Sequence, residues 1–414
     1  MKKRVIASLL ALPLAVPAVH AQDSAVRISG FGSGALTWTN TDRAEFGRPN
    51  QASGADKHVT TGVDSNLGLQ ADAPLNSWLS ATAQGLVRKD AEDDFGAELT
   101  LAFAKAKLSD EFSVRVGRMG LPIFMISDYR NVGYANTFLR PPTEMYSQVV
   151  FNHLDGVDGT WQHGYGDTNL TAQLGVGRSK ADLAGGLTMK GDNVTVLNLV
   201  AEHGPLTMRI GRADTKISID NSTTVNGLLN GLRAAGSGYR FAQLNQLADD
   251  LQLHRKKASF TSAGIGLDWN DIIVQSEYAK RKIDGYANDT TSWYAMAGYR
   301  VGKFLPYYLH SSLKIDSAVA NTVPGACPAG YPAACAPTLA ALSNGVNRLK
   351  VSGVGQGEQE TDSIGVRWDF YRSVALKAQV DRVRPQNGTG LLIAPQPGFR
   401  GPVTVGAVSL DFVF

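Results

Sequence analysis

The chain has 414 residues, 43% of them hydrophobic and 19% charged, with 44 glycines and two cysteines. That length would usually suggest two soluble domains, yet no composition shift or linker divides it. No stretch of about 18 apolar residues is available to cross a membrane as a helix. The formal charge of +3 traces to Lys2, Lys3 and Arg4, so residues 22–414 are balanced and charge offers no case for a nucleic-acid partner.

The first 21 residues read as a signal peptide. A basic start is followed by an apolar run over residues 5–16 and then Val19-His20-Ala21, which predicts cleavage before Gln22. The apolar run is too short for a comfortable transmembrane helix. An exported chain without helical spans is periplasmic, secreted or an outer-membrane barrel. Residues 22–414 are expected to form a single domain.

Sixteen segments then alternate apolar and polar residues, beginning with 26–38, 59–72, 78–89 and 97–107 and ending with 361–370, 374–384 and 403–414. Side chains alternate across a strand, so each segment has one greasy and one polar face. Leu79, Ala81, Ala83 and Val87 form one such apolar set; others are Leu99, Leu101 and Phe103, then Leu170, Ala172, Leu174 and Val176. Connections after even-numbered segments are brief, as at 108–112, 204–205 and 371–373. Most after odd-numbered ones are long, including 39–58, 120–155, 216–257, 316–360 and 385–402. Sorting of this kind is expected when all short turns lie on one side of a membrane and all long loops on the other. In lipid every backbone amide must be satisfied internally, which strands achieve only as a closed barrel. The predicted fold is therefore all-β, a sixteen-stranded antiparallel transmembrane barrel. At that strand number the inward polar faces border a water-filled lumen.

Within this frame the loops differ. Residues 120–155 are too apolar for a solvated loop of their length. The loop 216–257 holds Leu228, Leu232, Phe241, Leu244, Leu247 and Leu251 at helical spacing, fitting a helical lid, a plug or a packed surface ornament. Arg255, Lys256 and Lys257 after it suit either lipopolysaccharide phosphates or a charged rim. Cys327 and Cys335, close together in an oxidising compartment, read as a local disulfide. Ligands for a zinc site are lacking nearby. Gly30, Gly32 and Gly34 share an outward face with Val26, Ile28, Leu36 and Trp38, which suggests close approach of another subunit or relief of barrel curvature. Their spacing within a strand does not suit a dinucleotide site. A Gly-x-Ser-x-Gly motif is absent and the seven histidines are scattered, so no catalytic residue, cofactor or metal is expected.

The terminal strand places Val408, Leu410, Phe412 and Phe414 on one face. Together with the signal peptide, the sixteen strands and both termini on the short-turn side, this resembles the trimeric porins of Gram-negative bacteria over the whole of residues 22–414. The resemblance implies a passive channel in the outer membrane for small hydrophilic solutes and ions, in contact with lipid and lipopolysaccharide. It also implies a homotrimer, a third long loop folded into the lumen, and Phe412 and Phe414 acting as a signal to the barrel assembly machinery. The Pro-Glu-Phe-Gly-Gly-Asp segment of the enterobacterial porin loop is missing, so residue roles do not carry over. Candidate constriction charges are instead taken from position: Asp128, Arg130, Arg140 and Glu144 in the loop, and Arg27, Arg115, Arg209, Arg300, Arg367 and Lys377 on the inward faces. The basic set suggests a weak anion preference. Asp72, Glu98, Asp268, Glu277, Asp369 and Asp381 also point inward and make the lumen mixed. An adhesin and a barrel hydrolase are the alternative readings.

Overall fold

The computed structural model describes residues 26–220, 222–351 and 357–414. The expected signal peptide, residues 1–21, lies outside them. The strands are β1 (Arg27–Thr39), β2 (Asn66–Pro74), β3 (Leu79–Lys89), β4 (Phe95–Lys107), β5 (Phe112–Gly120), β6 (His153–Tyr165), β7 (Thr168–Leu183) and β8 (Leu187–His203). They continue as β9 (Leu206–Asp220), β10 (Lys256–Trp269), β11 (Ile272–Ile283), β12 (Asp289–Tyr299), β13 (Phe304–Ser317), β14 (Glu358–Tyr371), β15 (Val374–Asn387) and β16 (Val403–Val413). Each pairs antiparallel with its sequence neighbours, and β1 closes on β16, so the sixteen-stranded barrel has no free edge.

Outward positions carry Leu67, Leu99, Val116, Leu174, Leu197, Ile210, Ile364, Val380 and Leu410, all exposed on the barrel surface. Such a band is stable only against lipid. Trp78, Phe112, Trp161, Trp269, Tyr299, Phe304 and Trp368 stand beside the short turns as an aromatic girdle. These features define an outer-membrane barrel.

The structure departs from the alternation at identifiable places. A bulge between Gln84 and Gly85 leaves Thr100 extra in β4. One added residue transfers every later side chain to the other face. Leu101 and Phe103 therefore line the lumen, not lipid as the alternation suggested. β2 begins at Asn66 rather than 59, because residues 59–65 turn inward and bring Asp64 to Arg140. β7 and β8 run on to a tight turn at 184–186, well past the expected ends at 178 and 193. Above the membrane an outward face needs no apolar side chains, so the ladder continues where its hydrophobic signature has stopped.

The loop after β5 carries a short α-helix, α1 (Thr143–Tyr146), and the loop after β9 forms helices α2 (Thr223–Gly238) and α3 (Ala242–Leu251), following the helical spacing read there. A further helix, α4 (Cys335–Val351), was not expected from the sequence, although Leu339, Leu342 and Val346 are buried on it at the same spacing. It packs on α2, and Cys327 is joined to Cys335 at its start, with Cα atoms 6.2 Å apart.

Candidate functional site: the constriction

Residues 121–152, the third long loop, fold into the lumen against the inner wall of β9–β16. Leu121, Ile123, Phe124, Ile126, Phe138 and Met145 are all buried there. The Phe124 ring lies 4.5 Å from Tyr146 and 5.2 Å from Phe260 of β10, while Phe138 meets Tyr294 of β12 edge-on. Burial of each such side chain contributes about 1.5–3 kcal/mol, which is why the loop leaves water.

Burying a loop strands its backbone groups, which must find partners. The wall supplies them. Arg209 donates through Nη2 to Pro122 O at 2.6 Å and through Nη1 to Ile123 O at 3.0 Å. Arg367 Nη1 donates to Tyr134 O (2.7 Å) and Asn136 O (3.0 Å). Lys377 Nζ reaches Gly133 O (2.7 Å), Asn136 O (2.6 Å) and Phe138 O (3.0 Å) while paired with Asp411 at 2.9 Å. Glu277 accepts from Met125 N at 2.9 Å and from the hydroxyls of Tyr146 and Tyr294 at 2.5 and 2.9 Å.

The loop's own charges complete the attachment. Glu144 accepts from Ser311 Oγ and Gln359 Nε2, both at 2.7 Å, and from Thr361. Arg140 grips Asp64 of the first loop (Nη2 to Oδ2, 2.7 Å) and Asp381 of β15, with its guanidinium 4.9 Å from the Phe46 ring centre. Burial opposes the Arg140 charge, but Asp64 and Asp381 outweigh it and hold the pKa above the ordinary arginine value. Burial likewise disfavours the Asp64 carboxylate, and Arg140 more than offsets it, leaving the carboxyl below its usual range.

This corrects part of the sequence reading. Arg140, Glu144, Arg209 and Lys377 are buried, and the Arg367 side chain is 12% exposed. They sit at the constriction, but as anchors of the loop; they do not present free charge to a solute.

Water-facing groups lie on the opposite side. The wall of β2–β8 and the loop edge at residues 127–131 enclose a cavity of about 710 Å³ lined by Asp72, Lys105, Arg115, Asp128, Arg130 and Glu202 among others. Arg115 forms a two-pronged pair with Asp158 (3.0 and 2.5 Å), its guanidinium 5.2 Å from the centre of the Phe103 ring. Arg130 donates to Asn152, and Arg88 pairs with Glu98 at 2.9 Å. Arg27 is exposed at the short-turn end of β1. Arg300 pairs with Asp268 at 2.7 Å at the corresponding ends of β10 and β12. Lys105 is exposed to the lumen, and the sequence reading missed it because the bulge that turns it inward leaves no mark on the alternation.

A closed barrel with a lipid-facing belt, a polar half-lumen and an inward third loop has the porin architecture. No family model and no curated protein matches the sequence. Solved structures match in fold. Salmonella typhi OmpF in complex with daunomycin is 12% identical with a TM-score of 0.55, covering 94% of this chain and 97% of that one. The outer-membrane channel DcaP of Acinetobacter baumannii is 9% identical with a TM-score of 0.52 over 94% and 97%. In-vitro folded OmpT of Vibrio cholerae, in its trimer form, is 11% identical with a TM-score of 0.52 over 95% and 100%. At such identities the likeness is one of fold.

Proposed function

We propose that the protein is a passive, non-enzymatic diffusion channel for small hydrophilic solutes and ions. The observation that carries this is the division of the lumen. The third loop fills one side with apolar packing, and the other keeps a polar cavity of about 710 Å³ bordered by side chains of both signs. Diffusion down a gradient asks for a wide wet path and nothing more. Lys105 and Arg27, which have no ion-pair partner among the described residues, draw anions, while Asp72, Asp128 and Glu202, likewise without an ion-pair partner there, keep any anion preference weak. OmpF and DcaP, a channel by its description, share the fold, and the trimer form of OmpT supports a homotrimer for this chain. Export on residues 1–21, recognition of Phe412 and Phe414 by the barrel assembly machinery, and lipopolysaccharide at Arg255–Lys257 belong to the same reading. Purified protein in a planar bilayer under a salt gradient should give stepwise currents with a small anion-directed reversal potential. Folded protein that never conducts would remove the channel reading.

A further inference from the structure

A second cavity, of about 410 Å³, lies among the long loops on the outer side of the constriction. Its walls come from the first, third, fourth, fifth, sixth and eighth loops, and they are mostly apolar. Leu183, Leu187, Met189, Tyr286, Leu391 and Leu392 line it. Arg48 is the one Lys, Arg, Asp or Glu among its lining residues. Its guanidinium has no carboxylate within ion-pairing distance among the described residues; burial pushes its pKa down, Arg88 and Arg140 add to that, and the more distant Asp64 and Asp411 offset it only in part.

Arg48 is also held in place. Its backbone N–H donates to Gln51 Oε1 at 2.8 Å, and Gln51 Nε2 in turn donates to Gly62 O and Val63 O at 3.2 and 3.0 Å. Glu45 and Ile393 exchange backbone bonds of 2.9 and 2.8 Å, which fasten this part of the first loop to the eighth. Asn50 Nδ2 donates to Val150 O of the third loop at 3.0 Å. A cation whose desolvation is offset only in part by carboxylates beyond pairing range is unfavourable when the chamber is empty. The same arrangement is complementary to a ligand with one negative charge and an apolar body. A preformed apolar cavity with a few placed polar groups is the usual form of a small-molecule site.

We propose that this vestibule binds amphipathic organic anions, carboxylates carried on an aromatic or short aliphatic body. The carboxylate pairs two-pronged with Arg48, and the body packs on Leu183, Leu187 and Leu392. Beyond the seam at Val150, Arg130 holds Asn152 at the cavity of the constriction, so a cation stands on each side of that seam. The proposal rests on the channel reading only for the onward passage of the solute; binding itself stands apart from it.

The test is titration calorimetry of the full-length protein with benzoate, against acetate and benzylammonium, alongside current recording with benzoate on the loop side. Benzoate should bind at least about tenfold more tightly than acetate, and benzylammonium should not compete. Arg48→Gln should weaken benzoate by about tenfold or more, the size of a lost charge-assisted pair, while Arg48→Lys retains most of the affinity. Equal binding of benzoate and acetate, or an unchanged affinity in Arg48→Gln, overturns the site. If Arg48→Gln fails to fold, the three-ligand comparison on the unaltered protein decides alone. Protein that conducts without preferring benzoate overturns the site and leaves the channel. Protein that binds benzoate as described yet never conducts supports the site and removes the channel.

Discussion

The ring of Phe414 lies over Gly30 across the seam that closes the barrel. Their backbones exchange two hydrogen bonds of 2.9 Å, and a Cβ on Gly30 would stand 2.3 Å from Phe414 Cζ. Gly32 relates to Phe412 in the same way, at 2.6 Å. Two of the three outward glycines of β1 are thus small because the last aromatics of β16 occupy the space above them. Subunit contact and curvature are not needed to account for either. Gly30→Leu should therefore impair closure, with an overpacking cost of about 1–3 kcal/mol, seen as loss of the heat-resistant folded band. Replacing Phe412 and Phe414 by Ser should leave protein misassembled, and normal barrel after that change would defeat the argument.

Gly34 is different, since a Cβ there meets nothing within 4 Å. It is the β1 glycine at which bulk can probe a neighbouring subunit without disturbing the seam. Gly34→Trp is expected to convert a trimer to a conducting monomer by light scattering. A trimer that survives this change places the subunit contact elsewhere.

Why the barrel was legible and the site only partly so has a physical answer. Strand number and turn placement follow from an alternation that lipid imposes on every spanning strand. The Thr100 bulge, the inward turn of residues 59–65 and the tall β7–β8 hairpin lie where lipid imposes nothing, or where one residue resets the phase. The inward loop is legible in the apolar character of residues 120–155. The roles of Arg209, Arg367 and Lys377 were hidden, because an inward cation reads the same whether it faces water or the carbonyls of a folded loop. Helix α4 leaves its mark in the spacing of Leu339, Leu342 and Val346.

The Asp64–Arg140 clasp between the first and third loops carries a pH signature. Asp64 titrates below the ordinary aspartate value of 3.8 because Arg140 stabilises its charge. A carboxyl depressed on folding contributes stability above its unfolded pKa, and that contribution declines as pH falls through the folded value. Conductance should accordingly be flat from neutrality to about pH 4 and change only in stronger acid. Asp64→Asn, which cannot ionise, should leave the loop loosened at every pH and remove the acid change; a transition near pH 6 in the unaltered protein would contradict the clasp.

The Cys327–Cys335 link spans eight positions in a loop outside the barrel wall. Closing so short a loop restrains the unfolded chain by about 2–3 kcal/mol at most. Neither thiol should label in native, unreduced protein. The double Ser variant should keep a heat-resistant barrel, with any effect confined to the packing of α4 on α2.

Lys377 offers the sharpest test of what holds the constriction. Its ammonium is fully buried, paired with Asp411, and donates to three carbonyls between Gly133 and Phe138. Lys377→Met removes those donors and leaves Asp411 charged in a closed site, a loss of about 3–5 kcal/mol for a broken buried pair. The barrel ladder does not depend on this side chain, so the loss should fall on the third loop, which detaches from β15 and β16. Single-channel conductance should rise or become noisy while the folded band persists. The double change Lys377→Met with Asp411→Asn should recover part of the stability, since no charge is left stranded, without restoring the tight pore. An unchanged conductance in Lys377→Met would mean that apolar packing of Phe124, Phe138 and Met145 alone retains the loop, and that the carbonyl contacts follow from that packing instead of causing it.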